Sequence, residues 1–129
     1  MRRALLIVSL LGLAACSSEQ KENPEALKAQ KDNLAAVLSA QLKSLNYDAT
    51  VTHDGEQLHI RVTQANVGEM RRVICYQMGW PSNSGVMVRL DLTRLNLRQS
   101  GITRIRITGD GDEMRDVELG QDGRCQKGY

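Results

Sequence analysis

The chain has 129 residues, with 17 Lys and Arg against 15 Asp and Glu, three Cys, two His, one Trp, three Tyr and no Phe. A near-neutral balance with no basic run and no aromatic-rich segment argues against nucleic acid, which needs phosphate neutralisation and base stacking. With so few aromatics the core has to be built from Leu, Ile, Val, Met and Ala, which suits a small sheet with helices packed on it.

Met1, Arg2 and Arg3 precede an apolar run over residues 4–15 that ends in Leu13, Ala14, Ala15 and Cys16. A basic start, a short apolar stretch and small residues before a cut make a secretory signal, and the stretch is too short for a stable spanning helix. The last four residues resemble the lipobox of bacterial lipoproteins at every position. The resemblance implies thioether lipidation of Cys16, cleavage before it and acylation of the new amino terminus. Several acyl chains are needed for stable anchoring, because each buried CH2 contributes only about 0.8 kcal/mol. Ser17, where an inner-membrane retention signal of the family carries Asp, points to the outer membrane, facing the periplasm. Arg2 and Arg3 leave with the signal, which brings the 17 basic residues to 15, equal to the acidic ones. The expected organisation is a signal peptide at 1–15, the lipidated cysteine with a polar tether at 16–23, and one domain at 24–129.

Asn23, Pro24 and Glu25 form a helix start: a capping side chain, proline at the first helical position and an acid at the positive end of the dipole. Leu27, Leu34, Leu38, Leu42 and Leu45 then recur at spacings of 7, 4, 4 and 3, which predicts an amphipathic helix of about six turns ending near Asn46. Ala49, Val51 and His53 alternate with polar residues, Asp54-Gly55 turns the chain, and Leu58, Ile60 and Val62 return, giving a β-hairpin with one apolar face. His53 and His59 are expected near the turn as solvated residues. Asn66 with Glu69 resembles a capping box. Val67, Met70, Ile74 and Met78 form the apolar face of a second helix, with Gly79 as its C-cap.

The stretch from Trp80 to Gly85 reads as a loop, in which Trp80 either plugs the edge of the core or stands exposed beside Met78 as a peptide-docking patch. Val86, Val88, Leu90 and Leu92 alternate with Met87, Arg89 and Asp91, which predicts a strand. A helical turn from Thr93 to Ser100, closed by Gly101, then explains the change of phase, and one helix over 86–99 is the other solution. Ile102, Ile105 and Ile107 start a strand, residues 109–112 turn it, and Met114, Val117 and Leu119 return. The result is an α+β domain. A single small, mainly antiparallel sheet of about five strands carries helices on one face, in the order α-β-β-α-β-(α)-β-β. Its first and last α-β-β portions look alike.

Cys75 and Cys125 form an even pair in an exported domain, which reads as a structural disulfide. No CxxC pair, phosphate loop, nucleophile elbow or metalloprotease pair occurs. The acids Asp110, Asp112, Glu113 and Asp116 fail the EF-hand pattern, since the glycine and the distal glutamate are missing. No cofactor, metal or enzymatic activity is expected.

The lipobox, the first helix running into Tyr47 and the hairpin at 49–63, Cys75 late in the second helix, the strand pair at 102–119 and Cys125 near the end together resemble the α/β-class pilotin lipoproteins of type II secretion. The segment at 80–92 is longer than that pattern. The resemblance implies an adaptor that binds the C-terminal segment of a secretin subunit and carries it along the lipoprotein route to the outer membrane. The residues expected to receive the partner are Met70, Met78 and Trp80, soft or aromatic side chains beside a loop. The alternative is a structural or stress-related outer-membrane lipoprotein with no secretion role. A periplasmic enzyme, with a polar pocket using His53, His59 and the acids, is the weakest reading.

Overall fold

The computed structural model describes residues 24–126; the signal, Cys16, the tether and the capping Asn23 lie outside the described residues. Helix α1 covers Pro24–Ser44 and buries Leu34, Ala35, Leu38 and Leu42, one stripe of the expected face. Leu27, the first leucine of that pattern, instead lies beside the β1–β2 turn and stays exposed. The helix stops because Asn46 takes a left-handed φ of 73°. The N–H of Tyr47 then reaches the carbonyl of Leu42 at 2.9 Å and that of Asn46 reaches Lys43 at 2.9 Å, a Schellman closure that satisfies two end carbonyls.

Strands β1 (Asp48–Asp54) and β2 (Gln57–Thr63) form the expected hairpin, turned by Gly55 at φ 62° and Glu56. Leu58, Ile60 and Val62 point into the core with no exposed surface. Helix α2 covers Val67–Tyr76, and Asn66 Oδ1 accepts from the N–H groups of Gly68 at 2.7 Å and Glu69 at 3.3 Å. Glu69 accepts from the hydroxyl of Tyr47 at 3.2 Å, which ties α2 to the end of α1.

Two sequence expectations are corrected beyond this point. Helix α2 ends at Tyr76 with Gln77 already extended, so Gly79 is not its cap and Met78 is not on its face. The strand expected at 86–92 shrinks to a two-stranded ribbon, β3 (Trp80–Pro81) with β4 (Met87–Val88). Helix α3 (Leu90–Gln99) takes the rest, burying Leu90, Thr93, Arg94 and Leu97. Ser100 and Gly101 close it, the latter at φ 101°, and Ile102 N–H bonds to Leu97 O at 3.0 Å.

Strands β5 (Arg104–Thr108) and β6 (Met114–Glu118) complete a four-stranded mixed sheet in the order β1-β2-β5-β6. The two hairpins meet through parallel pairing of β2 with β5. Because β5 therefore runs against β1, the two α-β-β portions are not laid side by side as a repeated unit. Helix α1 packs on β1, α2 packs on β5 and β6, and α3 touches both helices. One apolar core lies between helices and sheet. The other face of the sheet is polar, as in the row Thr52, His59, Arg106 and Asp116. Among the described residues no helix is long and apolar enough to cross a membrane.

Candidate functional site

Among the described residues, Tyr76, Met78, Trp80, Val86 and Met87 gather exposed apolar side chains on the ribbon and its stem, while Leu27, Val37, Leu92 and Met114 are exposed singly elsewhere. With α2 ended at Tyr76, Met78 and Trp80 leave the core and are 62% and 48% exposed. Met70, expected beside them, is 0% exposed and belongs to the core, because it sits on the inward stripe of α2 with Val67, Val73 and Ile74. The partner surface expected from sequence therefore keeps two of its three residues. It gains Val86 and Met87, which are also exposed. The pattern that could have found them is Trp80-Pro81 and Val86-Met87-Val88 flanking a Ser-Asn-Ser-Gly turn.

The ribbon is held by polar bonds at its base. Ser82 N–H bonds to Val86 O at 2.8 Å, and Asn83 N–H bonds to Ser44 O at the end of α1 at 3.3 Å. Arg89 donates from Nε to Met78 O at 2.7 Å and clamps Asp91 with Nε and Nη2 at 3.0 and 2.7 Å. A Cβ on Gly79 would come within 3.2 Å of Arg89 Cδ and 3.4 Å of Met87 Sδ, so the bare backbone lets Arg89 pass. Trp80 closes a cavity of about 70 Å³ with Leu45, Tyr47, Val73 and Gln77. Half of the indole thus rests on the body and half faces solvent.

Behind this surface, Cys75 in the last turn of α2 is bonded to Cys125, with S–S 2.04 Å and a sequence separation of 50. This is the pair expected from the cysteine count.

The histidines are not solvated. His53 faces α1, with its side chain 15% exposed, and bonds to Asp32. His59 lies on the polar face of the sheet, where Nε2 bonds to Thr108 Oγ1 at 2.8 Å. Strand alternation puts the two rings on opposite faces of the hairpin, so they share no site. Of the acids, Asp110 accepts from the N–H of Gln64 at 3.0 Å, and Asp116 receives both Nε and Nη2 of Arg106 at 2.8 and 3.0 Å. Asp110 thus holds loop backbone and Asp116 pairs with an arginine of the neighbouring strand, and the two do not converge on one another.

Three carboxyls are held below their ordinary value near 3.8: Asp32 by His53 and then Lys28, Asp91 by Arg89, and Asp116 by Arg106. A depressed folded pKa gives stability that is present above the ordinary value and is lost as pH falls through the folded one. The melting temperature is expected to be level between pH 7 and pH 5 and to drop below about pH 4. In Asp116→Asn the acid drop should be smaller; thermal melts of both proteins across that range test it.

The chain matches no protein-family model, no curated protein and no solved structure.

Proposed function

We propose that this protein is a lipid-anchored, periplasm-facing adaptor of the pilotin kind. Its ribbon surface binds the C-terminal segment of a secretin or a similar outer-membrane subunit. The observation that carries the reading is the grouping of Met78, Trp80, Val86 and Met87 as exposed side chains on and beside one short, braced ribbon, with Trp80 and Met87 leaving it by opposite faces. Exposed apolar side chains gathered in one place mark interaction surfaces, whereas scattered ones are ordinary. Methionine adapts to irregular partners, and tryptophan supplies a large, rigid anchor. An amphipathic partner helix would lay its apolar face there. Acyl chains on Cys16 confine the domain to the membrane. A bound subunit is then held at high effective concentration where it has to insert.

The test is a pull-down from solubilised outer membrane, followed by mass spectrometry, with the native protein, Cys16→Ala and a Met78→Ser/Trp80→Ser/Met87→Ser variant. A secretin subunit is expected with the native protein. The ribbon variant should lose it at least about 30-fold, since one hot-spot residue contributes 2 kcal/mol or more. Cys16→Ala should bind in solution but leave the subunit away from the outer membrane. Retention of the partner by the ribbon variant would sink the surface assignment. Recovery of barrel-assembly or cell-wall proteins in place of a secretin would favour the structural lipoprotein.

A further inference from the structure

The sheet order leaves β1 at an edge, and the hairpin turn fixes which of its backbone groups are free. Asp54 pairs with Gln57 across two turn residues, which makes that pair a hydrogen-bonded one. Alternation then directs the N–H and C=O of Thr52 and Thr50 to β2 and those of His53, Val51 and Ala49 outward. Among the described residues no backbone bond from outside the sheet reaches those three.

This edge does not face open solvent on its helix side, because among the strands α1 packs chiefly on β1 and overhangs it. Three cavities of about 370, 550 and 450 Å³ lie along the overhang. The first shares Lys28 and His53 with the second, and the second shares Ser39 and Ala49 with the third, so they join end to end as one trough. Its middle is walled by Ala35, Ala36 and Ser39, which leave room for side chains of moderate size. Its ends carry Lys28, Lys31 and Lys43; Lys31 Nζ donates to Gly55 O at 2.8 Å, which holds its charge at the β1–β2 turn, and the one acid of α1 in the trough, Asp32, is already bonded to Lys28 and His53. Asp48 and Asp54 also line its two ends, but strand alternation turns their side chains to the face away from α1. The helix side of the trough is therefore net positive.

The geometry points to a second docking site, in which an extended acidic-ended peptide joins β1 as a fifth strand of the sheet beneath α1. Lys31 and Lys43 are 12 residues apart, about 18 Å along a helix. An extended chain covers that in about six residues, an even number that keeps both end side chains on the α1 side. The fitting occupant has acids six residues apart on one face and small apolar residues between them on that face. A second copy of this chain does not fit in antiparallel pairing. Strands pair at about 4.8 Å, so two α1 helices, each over its own β1, would lie closer than the 8–10 Å that packed helices need. The site is separate from the ribbon and independent of what binds there.

The probe is the peptide Glu-Thr-Val-Thr-Val-Thr-Glu, fluorescently labelled and titrated with the full chain in detergent micelles, with amide exchange followed in parallel. Saturable binding is expected, with exchange slowed at Ala49, Val51 and His53 and little changed at Thr50 and Thr52. Ala36→Trp, at an exposed position in the trough wall, should abolish binding while leaving the melting temperature unchanged. Lys43→Glu should weaken it about tenfold, and the Met78→Ser/Trp80→Ser/Met87→Ser variant should bind as the native protein does. Absence of binding, binding indifferent to Ala36→Trp, or protection at β1 that follows protein concentration through self-association would each overturn the proposal.

Discussion

Arg94→Met is expected to destabilise the domain by about 3 kcal/mol, read as a lower urea midpoint with an unchanged slope. Arg94 lies on α3 and is 5% exposed. Nε donates to Gly123 O at 3.0 Å, and Nη1 donates to Ile74 O. Burial pushes its pKa down, and Asp91 and Asp122 oppose that shift. The charge is tolerable there because the carbonyl of Ile74 belongs to the last turn of α2, the negative end of a helix dipole. Helix α2 has no basic residue of its own in that turn, so α3 supplies the cation across the interface. Methionine keeps the apolar stem but removes every donor, leaving buried carbonyls unpaired at about 1–3 kcal/mol each. Arg94→Lys keeps the charge without the fork and should recover only part of the loss. A midpoint shift worth less than about 1 kcal/mol for methionine would show that water replaces the guanidinium.

What could be read from the chain was what is encoded locally. Asn66 capping α2, Gly101 closing α3 and the alternation of Leu58, Ile60 and Val62 each depend on neighbours within a few residues. The segment from Val86 to Leu97 misled because its helix buries Thr93 and Arg94. Polar residues on inward positions erase the helical period, while Val86, Val88, Leu90 and Leu92 imitate a strand. Arg94 itself was illegible, since burying an arginine depends on carbonyls brought from α2 and residue 123. Met78 was placed on the apolar face of α2 for a related reason: the apolar spacing runs on past Tyr76, but the backbone turns extended at Gln77. Cys75 and Cys125 could be paired by arithmetic because only two cysteines follow Cys16. The trough beneath α1 could not be foreseen, because it follows from which strand ends at the edge, and the parallel β2–β5 pairing that decides this is non-local.

Removing the disulfide with Cys75→Ser/Cys125→Ser is expected to cost about 4 kcal/mol, the chain-entropy value for a closed loop of that length. The loss should not add fully to that of Arg94→Met, because both hold the same C-terminal segment to α2. That segment has other attachments. Leu119 bridges to Cys125, and Gln126 N–H bonds to Glu118 O at 2.7 Å. Gly123, at φ 80°, lies so close to α3 that a Cβ would come within 2.5 Å of Leu95 Cα. These bonds survive loss of the bridge, so the reduced protein should still fold at 25 °C with a lower urea midpoint. The effect on binding should exceed the effect on folding. Cys75 fixes the turn of α2 from which Tyr76, Gln77 and Met78 run into the ribbon, and a loosened turn has to be reordered each time a partner docks. Urea titration of the native protein with and without dithiothreitol gives the stability term, and partner affinity measured on the same samples gives the second. Affinity that stays constant while the midpoint falls would mean that the ribbon is held by Arg89 and Asn83 alone, and that the bridge serves the fold without tuning the surface.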